Sequence, residues 1–182
     1  DTNGQAINLV YSGATVGWTP ASDIVSAFDH TPPPTQKAIF GYGDTGSHVS
    51  ISNLVTSSGV VGSDVTGVGT IRRYLAAANY DGDKAIFAYG ENVTSGTYYS
   101  ISNLVSSSGV VATDTTGVGT ARSYVGACGY GGDKAIFGYG YTTSSRFSIT
   151  NLVSNSGVVG SDVTGVGTAR NGLGAAGYSN AA

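Results

Sequence analysis

The chain has 182 residues and a net charge of −3, with only 10% of side chains charged, where a soluble domain usually carries about 25%. Eight basic against eleven acidic residues leave no cationic surplus, which excludes a nucleic-acid partner held by phosphate neutralisation. No apolar run approaches the ~20 residues that span a bilayer, and Cys128, the single cysteine, has neither a disulfide partner nor a Cys/His cluster for zinc.

Residues 1–36 do not repeat. Val10 to Trp18 is expected to form a hairpin turning at Ser12-Gly13, and Pro32 to Pro34 a stiff extended connection, so this segment reads as a tether. There is no methionine, even at position 1, and no signal or transit peptide is visible, so the chain reads as processed or as a piece of a longer one.

From Lys37 onward the sequence repeats. Lys-Ala-Ile-Phe starts at Lys37, Lys84 and Lys134, and Asn-Leu-Val at Asn53, Asn103 and Asn151. Asp64, Asp114 and Asp162 follow, then Arg72, Arg122 and Arg170 at spacings of 50 and 48 residues. A period of this size indicates stacked supersecondary units. Within each unit, Ala38 to Tyr42 alternates as a strand with Ala38, Phe40 and Tyr42 on one face. Ser50 to Val55 is a second strand, Thr56 to Gly59 a turn, Val60-Val61 the opening of a third strand, and Thr70 to Tyr80 a fourth. The glycine density and the missing 3.6 period exclude helices. The expectation is an all-β chain of three permuted four-stranded repeats of about 48–50 residues, near 37–83, 84–133 and 134–182. The permutation leaves the first unit without an Arg-type strand, while Thr168 to Tyr178 is an Arg-type strand with no partner after it. Closure of its own ring, assembly with a neighbouring chain and truncation of a longer array would each cover that edge, and we favour the latter two.

The order Arg122, small-residue strand, Tyr130-Gly-Gly-Asp, Lys134-Ala-Ile-Phe-Gly-Tyr-Gly140 resembles a kelch repeat, which implies a β-propeller or a related β-repeat stack. It departs from kelch in having Gly-Tyr-Gly in place of a double glycine and no outer-strand Trp. The repeated Asp-Lys-Ala-Ile-Phe and Thr-Gly-Val-Gly-Thr-Ala-Arg arrays, with Ile7 to Pro20, also resemble virion and tail-fibre proteins of marine phages. That resemblance implies a virion or extracellular location, attachment to other virion proteins through residues 1–36, and a homo-oligomer, expected to be a trimer.

Residues present in every unit read as structural. The Asp residues suit turn capping, and the Arg residues suit bonds to neighbouring carbonyls or to those Asp side chains. Tyr42, Tyr89 and Tyr139, with Phe40, Phe87 and Phe137, are expected to pack between strands, and Cys128 to be a buried, inert thiol. The acids outside the repeat show no pairing, and Gly41 to Gly46 matches a phosphate-loop pattern only by chance, since a strand follows it. No enzyme, cofactor or metal site is expected. What varies is the loop after each Gly-Tyr-Gly: residues 44–49, 91–99 and 141–147. Such loops often form a binding face. His48, Glu91, Asn92, Tyr98, Tyr99, Tyr141, Arg146 and Phe147 are therefore the candidate ligand-binding residues. The expected function is a phage tail-fibre or appendage module that binds a host-surface glycan or protein. The alternatives are a coat, decoration or fibril subunit joined through the terminal strand, and a stand-alone carbohydrate-binding propeller.

Overall fold

The computed structural model describes residues 9–11, 18–20 and 36–178, and among them there is no helix. The chain divides into two units, residues 1–35 and 36–182. In the first, β1 (Leu9–Tyr11) pairs antiparallel with β2 (Trp18–Pro20), with Tyr11 opposite Trp18. The expected turn at Ser12-Gly13 and the Pro32 to Pro34 stretch lie outside the described residues.

The second unit is a series of small antiparallel sheets. β3 (Ala38–Asp44) and β4 (His48–Val55) form a two-stranded sheet with a register shift between Gly41 and Gly43. β5 (Ala76–Tyr80) and β6 (Lys84–Ala88) form a hairpin, a short hairpin of β7 (Glu91–Asn92) and β8 (Thr97–Tyr98) projects beyond it, and β9 (Ser102–Val105) returns beside β6. The same path recurs as β10 (Gly126–Tyr130), β11 (Lys134–Gly138), the hairpin β12 (Tyr141–Thr142) and β13 (Ser145–Arg146), and β14 (Thr150–Val153). Register is kept between copies. Ala77 faces Phe87 as Ala127 faces Phe137, and Phe87 faces Asn103 as Phe137 faces Asn151.

Two expectations about the repeat change. The Arg-type strand does not close its own repeat; it opens the next sheet, as β5 and β10 do. The Val60-Val61 strand shrinks to single bridges, Val55 with Val61 and Ser52 with Val65, repeated at Val111 and Thr115 and at Val159 and Val163. Glycines and outward-facing valines around these bridges leave little buried surface to hold a longer strand, and Val60, Val110 and Val158 are more than 60% exposed.

The core lies in two layers between successive sheets. Tyr42, Phe87 and Val105 fill one; Tyr80, Ile86, Tyr89, Phe137 and Val153 fill much of the other. Small residues in β5 and β10 let the sheets approach, and backbone bonds tie the layers, with Asp81 N–H donating to the Asp133 carbonyl and Tyr124 N–H to that of Tyr74. The expected burial of three phenylalanines holds for Phe87 and Phe137, at 4% and 0% exposure. Phe40 is 62% exposed: among the described residues no Arg-type strand covers its sheet. Cys128 is half-buried rather than buried, and Tyr139 is half-buried where Tyr89 is enclosed.

Candidate functional site

Two sets of side chains are organised along the stack, one repeated and one variable. The repeated set centres on Arg72 and Arg122, both fully buried. Arg72 Nε donates to the Tyr89 carbonyl at 2.8 Å, Nη1 to the Thr70 carbonyl at 3.0 Å and Nη2 to Asn103 Oδ1 at 2.7 Å. Asn103 Nδ2 donates onward to the Ala112 carbonyl and to Asp114 Oδ1, and Asp114 accepts from the backbone N–H and hydroxyl of Thr70. Arg122, Asn151, Asp162 and Thr120 repeat this circuit bond for bond.

The circuit makes a buried guanidinium tolerable, because its donors are met and a carboxylate stands 4.0 Å from Arg72. Burial draws both guanidiniums below the ordinary arginine value. Burial also raises Asp114 and Asp162, but their hydrogen bonds from Thr and Asn and the nearby Arg outweigh it, so both carboxyls end below the usual range.

Each guanidinium also lies over the tyrosine of the preceding unit: Arg72 over Tyr42, Arg122 over Tyr89 and Arg170 over Tyr139, at 4.1–4.3 Å from the ring centre. These tyrosines sit at φ of 63–66°, a left-handed conformation uncommon for a side-chain-bearing residue. Their phenols donate to Val68, Val118 and Val166 carbonyls, contacts that offset the backbone strain. Burial pushes Tyr89 up to about 12. The sequence pointed to Arg–carbonyl bonding and to the Asp positions. It did not reveal the Asn of Asn-Leu-Val as the hub, although its strict spacing from Arg and Asp was a usable signal.

The variable set forms a continuous row across the units. Arg73 Nη1 pairs with Asp44 Oδ2 at 3.0 Å, and its guanidinium lies 4.5 Å from the centre of the Tyr74 ring. Tyr74 stacks on Tyr124 at 4.0 Å and 21°, and Tyr124 meets Tyr141 edge-on at 6.4 Å. Arg146 then lies 5.8 Å over Tyr141 and donates from Nε to Asn171 Oδ1. Burial, then the hydrogen bond with neighbouring Tyr74 and the nearby Glu91, pushes the Tyr124 phenol up to about 12, and burial also raises Tyr98 beside Glu91 and Tyr141.

No protein-family model matches the chain, and no curated protein is significantly similar to it.

The candidate residues are not equivalent in this row. Tyr98, Tyr99, Tyr141 and Phe147 are half-buried and Arg146 is exposed. Asn92 is half-buried, and its Oδ1 accepts from the Thr94 and Ser95 N–H groups, which shapes the β7–β8 turn. His48 and Glu91 are turned inward, at 8% and 6% exposure. Glu91 Oε2 accepts the buried Ser123 hydroxyl at 2.7 Å, tying the second unit's hairpin to the third unit's approach strand. His48 Nε2 lies 3.8 Å from Asp44 without a hydrogen bond. Glu91 therefore fixes its hairpin, and neither residue is on the outward row. The sequence reading missed Arg73, Tyr74 and Tyr124, which follow the repeated Arg immediately and were read as ordinary strand positions. Their signal was the Arg-x-Tyr pattern, present at Tyr74 and Tyr124 and lost at Gly172. Among the described residues no three of His, Cys, Asp and Glu gather to hold a metal, and no helix is long and apolar enough to cross a membrane.

Proposed function

We propose that this chain is a non-enzymatic β-repeat module of a virion appendage, of the tail-fibre kind its sequence resembles. In this reading residues 1–36 attach it to other virion proteins, and the variable row meets a host-surface glycan or protein. The observation that carries the reading is the row itself. The repeated Arg, Asn, Asp and Thr side chains of the enclosed units bond to one another in the internal circuit, while Tyr74 and Tyr124, whose position becomes Gly172 in the last unit, line up with the loop residues Tyr141 and Arg146. Flat aromatic faces beside a guanidinium suit the apolar face and hydroxyls of a sugar, and equally a protein hot spot. The test is binding of the labelled protein to a glycan panel and to host-surface protein. Wild type is expected to bind, and Tyr141→Ala and Tyr74→Ala to bind roughly tenfold more weakly, a loss of about 1.4 kcal/mol, with unchanged circular dichroism. A blank on both leaves the coat or fibril reading, which the unfilled first and last units favour independently.

A further inference from the structure

The circuit around each buried arginine is drawn from a single sheet. Thr and Arg come from the segment leading into its first strand, Asn from its third, and Asp from the bridge segment beyond. Among the described residues there are two complete circuits and two halves. The first sheet holds an acceptor half: Asn53 Nδ2 donates to the Gly62 carbonyl and to Asp64 Oδ1 at 2.8 Å, as in the complete copies. Among the described residues no arginine reaches Asn53 Oδ1 and no threonine reaches Asp64. Residues 168–178 hold the donor half. Arg170 lies over Tyr139, and its carbonyl accepts from Gly140 N–H, as Arg122 does with Tyr89 and Gly90. Its Nη1 meets the Thr168 carbonyl, but among the described residues Nε and Nη2 meet no acceptor.

Packing tells the same story. Phe40 is 62% exposed against 4% for Phe87, and Tyr178 is 89% exposed against 3% for Tyr80. A Cβ on Gly69 or Gly119 would strike the Asp114 or Asp162 carboxylate, whereas one on Gly167 would meet nothing closer than 3.9 Å. Among the described residues no strand pairs with the outer edge of β3, where β5 and β10 stand in the other sheets.

We propose that residues 168–178 of one copy of this chain complete the first sheet of a second copy, head to tail. The registers of β5 with β6 and of β10 with β11 set the match: Gly174 opposite Gly41, Ala175 opposite Phe40 and Ala176 opposite Ile39. Arg170 then bonds Asn53 Oδ1 of the second copy, and Thr168 bonds its Asp64. Phe40 of that copy packs on the Tyr139 ring, as Phe87 packs on Tyr42 and Phe137 on Tyr89. A second copy is the favoured occupant because the chain's own donor half already lies on its third sheet. Gly172 N–H donates to Tyr124 O and Leu173 lies against Gly126, at the far end of the stack from Phe40. The cationic donor half and the Asp64 carboxylate are complementary in charge. The contact joins two different surfaces, so it generates a ring or a filament rather than a two-fold dimer.

The experiment is sedimentation of the full 182-residue protein over a concentration series. It is run beside Arg170→Ala, which removes the donor, and the double variant Asn53→Ala with Asp64→Ala, which removes the acceptor. Wild type is expected to assemble to two or more copies and each variant alone to stay monomeric. An equimolar mixture should form a dimer and nothing larger, since only one intact contact can be made. Three results overturn the proposal: a wild type that is monomeric at every concentration, a monomer whose unfolding midpoint drops in both variants, which signals closure within one chain, or an assembly that survives in both variants. Glycan binding is a separate readout, so failure here is distinguishable from failure of the proposed function.

Discussion

Arg122 and Arg170 stand in the same motif, Thr-Ala-Arg, and both lie over a tyrosine at 4.1–4.3 Å. Arg122 is wholly enclosed with three bonded nitrogens, whereas Arg170 is exposed with one. Nothing in the immediate sequence separates them. Among the described residues the difference lies in whether two further strands of the same sheet stand beside the Arg segment, so the environment of a residue in this array is set by its place in the count of units. The value of an identical side chain can therefore be predicted to change along one molecule.

The sharpest way to test this is to remove each guanidinium. In dilute protein, Arg122→Ala is expected to cost about 3–5 kcal/mol of unfolding free energy, because it leaves Asn151 Oδ1 and the Thr120 and Tyr139 carbonyls without their donor in a buried site. Arg170→Ala should change it by less than about 0.5 kcal/mol. Urea unfolding of the two variants measures the contrast, and equal losses would break the comparison. The aromatic pair gives a similar but purely apolar contrast. Phe137→Ala should cost about 3–4 kcal/mol through lost packing and a cavity, and Phe40→Ala well under 1 kcal/mol.

Acid gives the smallest and most diffuse contrast. The Asp114 and Asp162 carboxyls are held below their usual range in the folded chain. The stability they contribute is fully present above the unfolded value near pH 4 and is lost as pH falls through the lower folded values. Stability measured against pH should be flat from neutrality to about pH 5 and then fall, with a shallower fall in Asp114→Asn. An equally steep fall in that variant would place the acid sensitivity elsewhere.

The strands and their period were legible because they are local. Alternation in Ala38 to Tyr42, the Ser-Asn-Leu-Val strand and the small-residue strand each carry their signal within a few residues. The sheet boundary was not legible, because a strand pairs equally well with a sequence neighbour on either side, and only packing makes β5 the first strand of a new sheet. The exposure of Phe40 has the same origin. At the candidate row, the sequence exposed the loop residues but not their orientation. Glu91 looks like a loop acid until Ser123, 32 residues later, is seen to take its carboxylate inward. Tyr74 and Tyr124 became a feature only once the units were stacked.

The side-chain bonds of the Thr–Arg–Asn–Asp circuit close inside one unit, and the Arg is linked to the unit before through a tyrosine ring and a backbone bond from a glycine N–H to its carbonyl. An in-frame duplication of one 48- or 50-residue period would therefore bring matched bonds at both of its borders, and deletion of one period would rejoin two matched ends. Reach, measured in units, is thereby uncoupled from the chemistry that holds each unit together. Lineages carrying this module are free to vary its length without repairing its interior.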